Sequence, residues 1–331
     1  MSGTTSISFE VARERFGAEL EGRLRSAVAG DGALFSAARY HLETGGKRLR
    51  ALLPPWLAVN LGRGQGTEHE VALQLGVAFE LIHNGTLVHD DLQDGDTQRR
   101  GLPTVWARYG MPQAVNVGTA LMLLGLAKVL ETPLGPRLIA DVKLAILAVV
   151  EGQALEFELH GDPRPTPARW ERMAAGKTGA LFGVCFLAGA RAAGRGDSDC
   201  DAMRRLGFEV GVLFQLQDDL LDLVGDKGRE RPATDIAEGK TSWPVAWAVA
   251  TAGGEAARRL LEIVRAPRQE TTAEMIDEAL GILHATGAIA ACAGEVARLG
   301  RAIPAAPLSH AIPGLVERVL APVSHVIAGW A

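Results

Sequence analysis

An all-helical fold follows from three features of this sequence. Apolar residues recur at i, i+3, i+4 and i+7 along most of the chain, clear strand alternation is absent, and Gly and Pro gather between the periodic segments. In order, the helical pattern covers residues 9–28, 34–44, 71–88, 114–130 and 140–159. It resumes over 170–193, 201–224, 242–252, 272–299 and 312–328. Connections fall at 62–66, 161–167, 194–196 and 303–307, where Gly or Pro interrupts the helix. No linker long enough to separate domains breaks the pattern, so residues 1–331 read as a single domain. The predicted architecture is one bundle of long antiparallel helices around a central active-site cavity.

Composition bounds the partners. Hydrophobic residues make up 47% of the chain and aromatics 5%, which supports a large and mostly aliphatic core. A net charge of −5 argues against nucleic acid. Cys185, Cys200 and Cys292 are odd in number and show no C-x-x-C spacing. They read as reduced, mostly buried core thiols of a cytoplasmic protein. Residues 1–6 lack the basic and apolar regions of a signal peptide. The apolar stretches 114–130, 138–150 and 181–193 are interrupted by polar residues or too short to span a bilayer, and read as buried core helices. Asn84-Gly85-Thr86 matches a glycosylation acceptor, but it lies inside a predicted core helix and reads as chance.

Chemistry concentrates in two acidic motifs, Asp90-Asp91-Leu92-Gln93-Asp94 and Asp218-Asp219-Leu220-Leu221-Asp222. Each sets carboxylates at i, i+1 and i+4, with the i/i+4 pair on one helix face about one turn apart. A single such motif more often decorates a solvated face. Two copies at the ends of apolar stretches are harder to dismiss, because clustered like charges are costly unless cancelled. Mg²⁺ cancels them well, taking carboxylate oxygens and keeping substrate phosphates as further ligands. Cations complete the set. Gly45-Gly46-Lys47-Arg48-Leu49-Arg50 suits a loop or helix start gripping an anion, although a solvated turn has the same composition. Arg99-Arg100 fits plain ion pairing or bidentate phosphate binding. Lys177-Thr178, Phe214-Gln215 and Lys240 follow. Lys47, Arg50, Arg99, Arg100, Lys177 and Lys240, beside the six carboxylates, suit two diphosphates bridged by metal.

These elements resemble the trans-isoprenyl diphosphate synthases of the polyprenyl synthetase family, of geranylgeranyl diphosphate synthase type. Residues 80–91 (ELIHNGTLVHDD) are similar to the family's first region, and residues 214–222 (FQLQDDLLD) to its second. G-G-K-R-L-R, R-R-G-x-P-T, G-Q, K-T and G-K-x-S occur in the family's order, so the resemblance covers about residues 40–250. It implies the isoprenoid synthase fold, a homodimer and no transmembrane segment. It also implies Mg²⁺ as cofactor, about three ions per site with Mn²⁺ able to substitute.

By the resemblance, Asp90, Asp94 and Asp218 are principal metal ligands, and Asp91, Asp219 and Asp222 support them. Lys47, Arg50, His83 and Arg100 hold the diphosphate of isopentenyl diphosphate. Arg99, Lys177 and Lys240 hold the allylic diphosphate, with Gln215 and Thr178 at the reacting end. His83 otherwise reads as a core histidine, but it stands two turns before Asp90 on roughly the same face. Some positions depart from the family pattern: Trp106 where histidine is common, Gly118-Thr119 for G-D, Glu156 for an aspartate after G-Q, and Arg229 and Arg231 where a lysine is usual. Residues 326–331 lack the basic tail that closes the site in some relatives, which leaves site closure open. Two other classes compete. A class I terpene cyclase shares the fold, but it replaces the second motif and needs no Lys47 and Arg50. A silent subunit of a heteromeric synthase loses carboxylates that this chain keeps.

Product length is read from the helix carrying Asp90. Gly85 and Thr86, five and four residues before it, are too small to block a hydrocarbon channel, where C15 enzymes of this kind usually carry an aromatic. Ile82 and Phe79 come next. Phe79 stands about 16 Å below Asp90 at roughly 1.5 Å per residue. Isoprene units of about 4–5 Å then give three to four units above that floor. The expected product is C20 geranylgeranyl diphosphate, with C25 or longer, or C15, as alternatives. The sequence does not fix the preferred allylic starter or the downstream pathway.

Overall fold

Almost every element is a helix in the computed structural model, which describes residues 6–62, 68–224 and 233–328. Helices α1 (Phe9–Ala27), α2 (Ala33–Glu43), α3 (Leu49–Leu61) and α4 (Glu68–Gln93) lead to strands β1 (Gln98–Arg99) and β2 (Leu102–Pro103). There follow α5 (Val105–Tyr109), α6 (Met111–Leu130), α7 (Gly135–Gly161), α8 (Pro167–Ala174), α9 (Ala180–Ala192) and α10 (Asp197–Val224). The last are α11 (Thr234–Ala237), α12 (Trp243–Ala252), α13 (Gly254–Val264), α14 (Ala273–Ala285), α15 (Ala288–Ala305), α16 (Leu315–Leu320) and α17 (Ser324–Ile327).

The chain divides into two compact units. The first comprises residues 1–146, 181–207 and 310–313, and the second residues 147–180, 208–309 and 314–331. In the first, α4 is the central helix and packs on α1, α3 and α6. The α4–α6 seam is close: a Cβ on Gly85 would lie 2.7 Å from the Gly118 carbonyl oxygen and from Met122 Cγ. In the second, α12 packs on α8, α13, α14 and α15.

Several expectations need correction. Segment 272–299 is not one helix, because Gly287 takes φ +78° and α14 meets α15 at 64°. Segment 312–328 is two short helices joined by a 3-10 turn. Strands do occur, as a hairpin pairing Gln98 with Pro103 and Arg99 with Leu102. Its turn residues Arg100 and Gly101 both take positive φ, as a type I′ hairpin turn requires. Helices α3 and α13 lie outside the predicted segments. α3 holds Pro54 and Pro55 and buries every residue from Ala51 to Ala58, so it shows no amphipathic period.

Among the described residues, three helices are long and apolar enough to cross a membrane by length and composition: His69–Gln93, Met111–Leu130 and Pro167–Ala192. The first and third are 72% and 78% buried within the protein, as core helices should be. Met111–Leu130 is only 33% buried, against the expectation of a core helix. Its Met111, Val115, Leu123 and Leu130 are exposed. Asn84 is buried and bonded to Glu80, which leaves no room for a glycan. Arg229, Arg231 and residues 329–331 lie outside the described residues.

Candidate active site

The first unit gathers acids and bases at the C-terminal end of α4. Asp90 and Asp91 lie in the last turn of the helix and Asp94 follows just past its end, donating its backbone N–H to the Asp90 carbonyl at 2.8 Å. Carboxylates at a helix C-terminus face the negative end of the helix dipole, which adds to the demand for a cation. Asp90 and Asp94 each bring a carboxylate oxygen within 4.8 Å of the other's, a separation that one hard cation can bridge. Asp91 behaves differently. It is buried and accepts from Arg99 at 2.6 Å. Burial pushes its carboxyl up to about 6 against the pull of Arg99. Arg99 is thus already engaged by a buried carboxylate.

Beside these acids lies a basic cluster. The loop 45–48 precedes α3, as the sequence suggested, leaving Lys47 exposed and Arg50 in the first turn. Gly46 lies under Arg100, whose guanidinium would stand 2.8–2.9 Å from an added Cβ. The hairpin turn therefore sets Arg100 against the loop that carries Lys47. Arg50 donates through Nη1 to His83 Nε2 at 2.9 Å and rests on the Phe182 ring at 4.8 Å. That bond makes His83 Nε2 an acceptor, hence a neutral ring protonated on Nδ1. Burial and the charges of Arg50, Arg99 and Arg100 agree, holding His83 well below the usual histidine range. Trp106, the departure from the family's histidine, donates its indole N–H to the Asp96 carbonyl at 2.7 Å and ties the hairpin's base to α5.

The second unit carries the other motif in the last turns of α10. Asp219 accepts from the Trp243 backbone N–H at 2.8 Å and from Gln215 at 3.3 Å. Asp222 accepts from the Thr234 hydroxyl at 2.7 Å and the Asp235 N–H at 3.0 Å, and so caps α11. Asp218 is partly exposed, whereas Asp219 and Asp222 are buried. Thus each supporting carboxylate, Asp91, Asp219 and Asp222, is held by protein donors. Lys177 and Thr178 sit on a π-helical turn, Ala175–Gly179, that joins α8 to α9. Gly152 permits this turn to touch α7, since a Cβ there would lie 2.2 Å from the Lys177 nitrogen. Lys177 pairs with Glu156, and Thr178 donates to Gln215 at 2.9 Å. Lys240 pairs with Glu238 at 3.1 Å. Sequence reasoning missed His160, one turn after Glu156. It faces Gly239, and burial, helped by Lys240 and Lys177, lowers its pKa. Its i+4 spacing from Glu156 was the available signal.

On α4, Phe79, His83 and Thr86 share the stripe of Asp90 at spacings of eleven, seven and four residues. Gly85 and Ile82 instead face α6, where a Cβ on Gly125 would lie 2.6 Å from Ile82 Cγ1. Of the chain-length candidates, Thr86 and Phe79 therefore lie on the same side of α4 as Asp90.

The polyprenyl synthetase family model matches residues 32–283. The chain belongs to this family. It is 33% identical over 270 residues to a short chain isoprenyl diphosphate synthase of Methanocaldococcus jannaschii, covering 80% of each chain. To a geranylgeranyl diphosphate synthase of Mycobacterium tuberculosis it is 36% identical over 282 residues, covering 82% of this chain and 77% of the relative. Geranylgeranyl pyrophosphate synthetase from Pyrococcus horikoshii superposes with a TM-score of 0.82 at 28% identity, covering 94% and 96% of the two chains. A polyprenyl synthase from Caulobacter crescentus, crystallised with calcium and isoprenyl diphosphate, matches at 0.80 and 27%, covering 96% and 98%. The protein is thus a prenyl diphosphate synthase family member with the all-α fold of its relatives, a prenyltransferase family of isoprenoid biosynthesis.

Proposed function

We propose that the protein condenses isopentenyl diphosphate with an allylic diphosphate and releases geranylgeranyl diphosphate. The observation that carries this reading is a full basic set for a second diphosphate, Lys47, Arg50 and Arg100 with neutral His83, beside the first acidic motif. A cyclase has no use for it, and a silent subunit does not keep both acidic motifs. Lys47, Arg50, His83 and Arg100 hold isopentenyl diphosphate, while Arg99, Lys177 and Lys240 hold the allylic diphosphate. Asp90, Asp94 and Asp218 would hold magnesium, about three ions per site, and manganese would be able to substitute. Bound magnesium supplies positive charge toward the departing diphosphate. The allylic C–O bond breaks, and the alkene of isopentenyl diphosphate forms the new C–C bond. The proton lost in restoring the double bond passes to pyrophosphate. Thr178, bonded to Gln215, and the Lys177–Glu156 pair fix the groups around the reacting end.

A C20 product is supported by small Thr86 and fully buried Phe79 on the Asp90 stripe, and by the relative named a geranylgeranyl diphosphate synthase. Chromatography of the dephosphorylated products tests it. Thr86→Phe should shorten the product toward C15, and Phe79→Ala should lengthen it. An unchanged distribution in both variants would place the channel elsewhere. We also infer a homodimer, supported by exposed Met111, Val115, Leu123 and Leu130 on α6 and Leu144, Leu147, Val150 and Phe157 on α7. The free, buried cysteines support a reducing, cytoplasmic setting.

A further inference from the structure

Arg48 stands between two residues read as diphosphate ligands, yet its side chain turns inward. Its Nε donates to Glu21 on α1 at 2.7 Å, Nη2 to the Leu42 carbonyl at the end of α2 at 2.6 Å, and Nη1 to Glu80 on α4 at 3.4 Å. With two carboxylates against it, this guanidinium has no net charge to offer a diphosphate. Its backbone sits at φ +47°, a left-handed conformation that a non-glycine residue keeps only when its surroundings hold it.

Glu80 holds the same place from the other side. Its side chain is 5% exposed, and Oε2 accepts from the Ala51 backbone N–H at 3.2 Å while Oε1 accepts from Asn84 at 3.1 Å. Helix α3 has no side-chain cap of its own at Arg48. The Glu80 carboxylate therefore acts as a remote N-cap, satisfying an orphan N–H and facing the positive end of the helix dipole. His83, one turn along α4, meets Arg50 in the same turn of α3. The start of α3 is thus fixed to α4 at two points, one by Glu80 and one by His83.

We propose that Arg48, Glu80 and Glu21 form an ion-paired clamp of positioning residues. It sets Lys47 and Arg50 for the diphosphate of isopentenyl diphosphate without touching that substrate. The inference rests on the reading of Lys47 and Arg50 given above. The test measures KM for isopentenyl diphosphate and for farnesyl diphosphate on the full chain, with thermal melts to verify folding. Glu80→Gln and Arg48→Lys should each raise KM for isopentenyl diphosphate about tenfold while leaving KM for farnesyl diphosphate within about twofold. Their double variant should show about the same tenfold rise as either alone, since both break one unit. General loss of folded protein lowers the maximal rate and moves neither KM, so the split separates positioning from stability. If Glu80→Gln does not fold, Glu21→Gln, at a partly exposed side chain, should raise the same KM about threefold. Unchanged KM values, equal rises for both substrates, or a multiplicative double variant would overturn the clamp. Lys47→Ala separates the two readings: if it leaves KM for isopentenyl diphosphate unchanged, the subsite itself is misassigned. If it raises KM and the clamp variants do not, only the clamp fails.

Discussion

Single carboxylates in the two acidic motifs do different work. Asp222 accepts two hydrogen bonds at the start of α11, whereas Asp90 lies a bridging distance from Asp94. Asp90→Ala should cut turnover by about three orders of magnitude or more at saturating Mg²⁺, because it removes a ligand from charge stabilisation in the transition state. It should leave unfolding free energy within about 1 kcal/mol of wild type. Asp222→Ala should cost about 1–2 kcal/mol of stability, the usual loss for a helix cap. Activity assays and denaturant titrations check both, and more than about a tenth of wild-type turnover in Asp90→Ala contradicts the metal role. The residue types at the site were legible because repeated carboxylates and clustered cations have few other uses together. Which carboxylates meet protein donors was not legible. The partners of Asp219 and Asp222, at Trp243 and Thr234, lie far along the chain and reach them only through the fold.

Helices with one wet face declared themselves, and helices without one did not. α1, α2 and α10 followed their periodicity, while α3, with Leu52, Leu53, Trp56 and Leu57 buried, gave no period and carried a Pro pair that reads as a breaker. The π-turn under Lys177 has no sequence signature at all. Packing of α2 against α4 also has a pH consequence. His41, at the end of α2, is buried among Arg99, Arg100 and Arg48, and burial first, then those charges, lowers it to about 3. Its folded pKa lies below its unfolded value, so the folded state binds fewer protons between these two values. The stability it leaves intact at neutral pH is therefore lost as pH falls from about 6.5 toward 3. Between pH 7 and 5 this one group should cost about 2 kcal/mol of unfolding free energy. His41→Asn should lose that much less over the same interval in urea titrations. Equal losses in both proteins would contradict a neutral buried His41.

Apolar residues stay exposed along α6 and α7 in the single chain. The apolar composition of α6 suggests a buried core helix, but a sequence does not say what an apolar helix packs against. Two thirds of its most apolar window is left uncovered here. If a second copy covers it, Leu123→Glu, at an exposed position on α6, should convert the protein to monomer in analytical ultracentrifugation at micromolar concentration. An unchanged sedimentation coefficient would move the interface off this face. The central claim, that two diphosphates are joined and not one cyclised, is tested most directly by incubating the purified protein and Mg²⁺ with farnesyl diphosphate, with and without isopentenyl diphosphate. The predicted result is pyrophosphate and a product one isoprene unit longer, formed only when both substrates are present and abolished by EDTA. A hydrocarbon formed from farnesyl diphosphate alone, or no product with any allylic starter, would contradict it.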